Sequence, residues 1–382
     1  MAERFVPYGR QWIDESDIAA VSSALEGEFL TTGPVVQEFE DKLKSITAAS
    51  HAVAVNSGTA ALHAAYFAAG VSSGDEIITT PLTFAATANA ARYLGANVRF
   101  ADIDPQTGNI DADSIEELVS ETTKIIVPVD YGGLPADYDR INIVARKHGL
   151  KVVTDACHSI GASYKGKPSG SLSTAAAFSF HPVKTVTTGE GGAIVTSESV
   201  LASRAARFRT HGIVRDPAVQ EEHGDWFYQM VDLGYNYRIT DFQCALGLSQ
   251  LAKLGSFVAR RREIARRYME ALKPLSSLWL PMQSEGSESA WHLFVVRVAG
   301  DAAKRRPFFD RLRRAGLGVQ VHYIPVYWHP YYTDLGYEKG LCPVAEDFYN
   351  RAVSLPIFPK MTDDEVSFCI EEVIKAAREI LE

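Results

Sequence analysis

The residues of this chain best suited to chemistry stand where apolar runs end. Lys184 lies in "FSFHPVKTVTTGEGGAIVT" (178–196), after a strand-like stretch and ahead of hydroxyl residues and glycines. A surface-loop lysine needs no such setting, whereas a lysine that stays neutral and meets a carbonyl does. Asp155 ends "LKVVTD", and the intervening "GASYKGKPSGSLSTAAAFSF" has room for a turn and one more strand. The two side chains can therefore reach one pocket. That pair meets the needs of pyridoxal 5'-phosphate, held as a Schiff base on Lys184. The carboxylate keeps the pyridine nitrogen protonated, so the ring can accept electrons. A phosphate favours a helix N-terminus, and Ser57-Gly58-Thr59 ahead of "AALHAAYFAAG" supplies one. Plain N-capping is the alternative for Ser57 and Thr59. Ser179 places a further hydroxyl near the lysine.

Positioning these groups falls to a regular alternation. "HAVAV", "DEIITT", "NVRFADID", "TKIIVPVDY" and "LKVVTDA" read as strands, with helices such as "FAATANAARYLG" and "YDRINIVARKHG" between them. Val- and Ile-rich strands separated by helices predict a mostly parallel sheet covered on both faces. Ligands collect at the carboxyl ends of such strands. No GxGxxG follows a strand and no GxxxxGK[ST] occurs, so neither a dinucleotide fold nor a P-loop is supported. Thr240 and Gln243 in "TDFQ" form a capping box that opens a long helix. The five arginines of "SFVARRREIARRYMEALKPL" read as a solvated helix face rather than a nucleic-acid patch. "WHLFVVRVAG", "AAKRRPFFDRLRRAG" and "GVQVHYIPV" predict strand, helix and strand. The fold class is thus α/β. A large domain over 1–250, whose N-terminal segment helps close the substrate site, precedes a smaller C-terminal α/β domain over 251–382.

Composition limits the partners. The chain has 382 residues, is 46% hydrophobic and 22% charged, and carries a net charge of −9, which argues against nucleic acid and anionic membranes as partners. Four dispersed cysteines without metal-ligand spacing, and an opening without a long apolar core, point to a reduced, cytoplasmic protein. No apolar run approaches the roughly 20 residues of a membrane span.

"NSGTAAL", "PLTFAATANA", "DACHSIGA", the Lys184 stretch and "GYNYRITDFQCALGLSQL" follow one another in that order. Together they resemble the sugar aminotransferases of the DegT/DnrJ/EryC1/StrS family, over nearly the whole chain. The resemblance implies the fold type I architecture of aspartate aminotransferase. It matches Lys184 to the cofactor lysine, Asp155 to the partner of the pyridine nitrogen, and His158 to a position beside the cofactor ring or its phenolic oxygen. Phe84 matches the aromatic residue that stacks on the ring, and Ser57, Gly58, Thr59 and Ser179 match the phosphate cradle. Asn236 matches a side chain reaching the phosphate of a neighbouring subunit, which implies a homodimer with shared active sites. A family branch with histidine in place of the lysine acts as dehydrase; here the lysine points to transamination with L-glutamate as amino donor.

The substrate is less directly encoded. "VQVHYIPVYWHPYY" (319–332) carries His322, Tyr323, Tyr327, Trp328 and His329. These form either a packed aromatic loop or a surface for a uracil ring or deoxysugar face. No third ligand accompanies the two histidines, so no metal is expected. Arg238 either binds substrate or makes a structural ion pair. Tyr8 and "GEFLTTGP", which contains Thr31, match the family's opening segment over the nucleotide sugar. "VDYGGLPADYD" and "CPVAEDFY" are similar to the branch that aminates the C4 ketone of a UDP-linked 2-acetamido-2,6-dideoxy-hexos-4-ulose in pseudaminic acid biosynthesis. Alternatives are another UDP- or dTDP-keto sugar, a non-catalytic pyridoxal phosphate-binding regulator, or a nucleotide-sugar binder without cofactor.

Overall fold

The computed structural model describes residues 4–382. The apolar runs become seven strands: β1 (His51–Val55), β2 (Glu76–Thr79), β3 (Asn97–Phe100), β4 (Thr123–Val127), β5 (Lys151–Asp155), β6 (Ala175–Ser179) and β7 (Gly192–Thr196). They form one sheet in the order β1-β7-β6-β5-β4-β2-β3. The pairings from β6 through β5, β4 and β2 to β3 are parallel. Strand β7 runs antiparallel to both of its neighbours. Helices cover both faces, which is why β6 and β7 are buried at every residue.

The alanine-rich helix Gly58–Ala69 decides where the site forms. Ala60, Ala61, Ala64, Ala65 and Ala68 pack in one core with Val153, Ala175, Ala177 and Ile194 of the sheet. Methyl side chains let the helix axis approach the sheet closely, so its N-terminus sits directly over the strand ends. On the opposite face, Phe39, Leu43, Cys244 and Phe257 form a second core with Phe178 and Val195.

The helix Asp241–Ala252 opens on the expected capping box, with Thr240 and Gln243 exchanging hydrogen bonds. One residue separates it from the helix Leu254–Leu272. Beyond that lies a three-stranded antiparallel sheet of β8 (Leu278–Trp279), β9 (Phe294–Val298) and β10 (Ala352–Leu355), flanked by helices Arg305–Arg314 and Asp363–Ala376. We place the division between the large and small units at the junction of the two long helices. The first described residues belong with the small unit: Val6 is fully buried in its core and bridges to Leu317.

Two expectations need correction. The stretch 318–326 does not form a strand. Only Gln320 makes a bridge, to Ser354, after which the chain bends towards the large unit and the Tyr131 hydroxyl donates to the His322 carbonyl at 2.6 Å. The arginines of Leu254–Leu272 are not all on a solvated face either. Arg260, Arg266 and Arg267 do pair with carboxylates there. Arg261, however, is 1% exposed and donates to the carbonyls of Trp291, His292 and Ile357.

Candidate active site

At the carboxyl ends of the central strands lies a cavity of about 610 Å³. One corner is built by the chain turning from β1 into the helix Gly58–Ala69. Ser57 caps that helix, its hydroxyl accepting from the Ala60 amide at 3.1 Å. The amides of Gly58 and Thr59 then have no acceptor among the described residues. A free pair of N–H groups at the positive end of a helix is suited to an anion. Gly58 is required by packing: a β-carbon there would lie 2.7 Å from Ser179 Cβ and 3.4 Å from Cys157 Sγ. Ser179 itself lines the same corner.

Asp155 ends β5 and faces the cavity. The Thr87 hydroxyl donates to its Oδ2 at 2.6 Å, and the Cys157 amide to its Oδ1 at 3.1 Å. Both oxygens are thereby oriented. Lys184 lines the same cavity, in the turn after β6. Burial pushes its ammonium pKa down, with Asp155 and Cys157 opposing the shift. More of a lysine so placed is in the neutral amine form that can act as nucleophile or proton acceptor.

His158 sits beneath the cavity with its Nε2 3.1 Å from the Tyr323 hydroxyl. Its Nδ1 is buried without a partner. Burial holds the ring well below the ordinary histidine pKa, with Lys184 adding to the effect, so it is neutral. His322, pushed down to about 4 by burial, hydrogen-bonds Ser354 through Nδ1 and meets the Tyr8 ring at 5.5 Å. Phe84 is 63% exposed at the cavity mouth.

The structure thus gathers Tyr8, Ser57, Gly58, Thr59, Phe84, Asp155, His158, Ser179, Lys184, His322 and Tyr323 around one space. Three expected residues stand elsewhere, and Asn236, expected to serve a neighbouring subunit, lies outside this lining. Tyr327 is fully buried; its hydroxyl donates to Glu346 at 2.6 Å and accepts from the Cys342 amide, so it serves the core and not the cavity. Thr31 bridges to Thr240 on the outer surface. Asn236 is exposed, its carbonyl 3.4 Å from Asn56 Nδ2. Arg238 is half-buried outside the lining. Sequence reasoning missed Thr87, Asn56, His181 and Glu190. Thr87 follows Phe84 by three residues, but Phe84 precedes the helix Ala86–Tyr93, so no shared helical face signalled its role.

The donor set suits pyridoxal phosphate. It offers an anion cradle that a Gly58 side chain would close, an oriented carboxylate, a lysine of lowered pKa, and the unpartnered Nδ1 of a buried neutral histidine.

The chain resembles known proteins over nearly its whole length. A family model described as the DegT/DnrJ/EryC1/StrS aminotransferase family matches residues 11–374. The chain is 41% identical to the spore coat polysaccharide biosynthesis protein SpsC of Bacillus subtilis, covering 99% of this chain and 97% of that one. It is 40% identical to the UDP-4-amino-4,6-dideoxy-N-acetyl-beta-L-altrosamine transaminase of Campylobacter jejuni, covering 95% of each. Among solved structures, Helicobacter pylori PseC, an aminotransferase involved in the biosynthesis of pseudoaminic acid, superimposes with a TM-score of 0.93. It is 32% identical, with 98% of this chain and 100% of that one covered. The architecture is the fold type I arrangement of pyridoxal phosphate-dependent aminotransferases, and the cofactor of such enzymes is pyridoxal phosphate.

Proposed function

We infer a substrate from one premise: this chain belongs to the DegT/DnrJ/EryC1/StrS aminotransferase family and is a sugar aminotransferase. Our reading is that it moves the amino group of L-glutamate to the C4 ketone of a UDP-linked 2-acetamido-2,6-dideoxy-hexos-4-ulose. The product is UDP-4-amino-4,6-dideoxy-N-acetyl-β-L-altrosamine. The observation that carries the chemistry is the meeting of Lys184 and the oriented Asp155 carboxylate in one cavity. The observation that carries the sugar is the 40% identity to the altrosamine transaminase over 95% of both chains. A second reading, a different UDP- or dTDP-keto sugar, is favoured by the equally similar spore coat polysaccharide protein.

When bound, pyridoxal phosphate supplies the aldehyde that carries the amino group and a ring that accepts electrons. In this reading the amides of Gly58 and Thr59 and the Ser179 hydroxyl hold the phosphate. Asp155, fixed by Thr87 and Cys157, keeps a proton on the pyridine nitrogen. The neutral amine of Lys184 takes a proton from the amine-bearing carbon and returns it on the other side of the exchange. Phe84 covers the ring, and Tyr8 and His322 wall the sugar side.

The working unit in this reading is a homodimer with shared sites. Trp226, Met230 and Leu233 are 77%, 65% and 77% exposed on the stretch leading to Asn236, a cost a second copy would relieve.

The deciding experiment offers UDP- and dTDP-4-keto sugars of both the D and L series, with glutamate, and identifies products by NMR. The L-series UDP sugar should react; reaction of D-series or dTDP sugars alone would remove the altrosamine assignment. Lys184→Ala should abolish both transamination and borohydride trapping of the cofactor on the chain.

A further inference from the structure

His292 belongs to the small unit, two residues before β9, yet its ring lies under the candidate site. Its centroid is 4.4 Å from that of His158, with the planes tilted by 33°. It is 4% exposed, and its Nδ1 has no partner. His158 therefore has two restraints on its ring, the Tyr323 hydroxyl at Nε2 and the His292 face, while its Nδ1 edge is bare.

The backbone at His292 is secured to an unusual degree. Buried Arg261 donates to the carbonyls of Trp291 at 3.2 Å and His292 at 3.3 Å. No carboxylate pairs with that guanidinium among the described residues, and burial lowers its pKa to about 10. An unpaired buried cation is costly. The amides of Ala290 and Leu293 donate to the carbonyls of Gly133 and Gly132, in the segment after β4. Gly133, at φ +96°, is packed so closely that a β-carbon would lie 2.9 Å from both the His292 amide and the His158 carbonyl. Three segments from two units thus converge on one imidazole–imidazole contact.

We propose that His292 is a positioning residue for the transamination site: it sets the plane of His158, and through it the bound cofactor, and so transmits the placement of the small unit to the chemistry. A buried, neutral ring in tilted contact restrains rotation of His158 where its Nδ1 has no hydrogen bond to do so. The inference rests on the reading of the cavity as the cofactor site.

A double-mutant cycle tests it, using cofactor retention and the pH midpoint of the bound cofactor's absorbance as readouts. His292→Ala should weaken pyridoxal phosphate retention about tenfold, in line with the loss of an aromatic pair, and displace the absorbance midpoint. His292→Phe, which keeps a ring, should stay within about twofold of wild type. The decisive comparison is the double variant. His158→Ala with His292→Ala should retain cofactor no worse than His158→Ala alone, because His292 acts through His158. Additive losses, or an unshifted midpoint in His292→Ala, would overturn the inference while wild type still takes up cofactor. Wild-type protein that takes up none would overturn the cofactor reading and this inference together. Should His292→Ala fail to fold, an equally poor His292→Phe would overturn the inference, and a normal His292→Phe with altered His158→Ala spectra would support it.

Discussion

Asp155 has both carboxylate oxygens occupied, one by the Thr87 hydroxyl and one by the Cys157 amide. Thr87→Val removes a hydrogen bond to a charged group, which is worth about 1.5–3 kcal/mol. We expect kcat/KM to fall roughly ten- to hundredfold, with the cofactor still bound. Asp155 was readable because it ends an apolar run; Thr87 acquires its role only when a neighbouring helix brings it across the sheet. A second residue-scale prediction concerns His63. Its Nδ1 meets the Tyr237 hydroxyl at 2.9 Å, and burial pushes its pKa down to about 4 from 6.5. Between those values the unfolded chain binds more protons, so this contribution to stability is complete above pH 6.5 and lost as pH falls towards 4. Asp130, raised by burial from 3.8 to about 6, works in the opposite direction, since there the folded state binds the extra proton. Comparing wild type with His63→Phe cancels Asp130. Urea unfolding should show wild type losing about 2 kcal/mol more than the variant between pH 7 and pH 4.5. Equal losses would remove His63 from the account.

At the scale of elements, the helix Gly58–Ala69 and strand β6 must touch for the anion cradle to exist. Gly58→Ala puts a methyl 2.7 Å from Ser179 Cβ, and relief requires the helix N-terminus to move. Overpacking of this kind costs about 1–3 kcal/mol. We expect weaker retention of pyridoxal phosphate and a lower melting temperature in the cofactor-free protein, measured by fluorescence and calorimetry. Local signals were reliable for such elements. Thr240 and Gln243 stand three apart, and the capping box follows from that spacing alone. Thr240→Ala should therefore cost about 1 kcal/mol in urea unfolding. The stretch 318–326 misled for the opposite reason. Its alternating pattern suits a strand, but Tyr131 and the cavity compete for its backbone and side chains.

For the molecule as a whole, the proposed homodimer would cover the exposed Trp226, Met230 and Leu233. Replacing Trp226 and Leu233 by serine should shift the protein to a monomer in analytical ultracentrifugation and weaken cofactor retention. A variant that stays dimeric would place the interface elsewhere. The sequence by itself determined the alternation that makes a parallel sheet, the positions of Lys184 and Asp155, and the glycine-bearing helix start, because each depends on residues within a turn or two of one another. Only the tertiary structure decided that Thr87 orients Asp155, that Tyr327 belongs to the core, and that buried Arg261 holds His292 against His158. Those contacts join residues 68 apart for Thr87 and Asp155 and between 30 and 96 apart for Arg261 and its carbonyls, and their distance and direction depend on how helices and sheets stack, which no local spacing encodes.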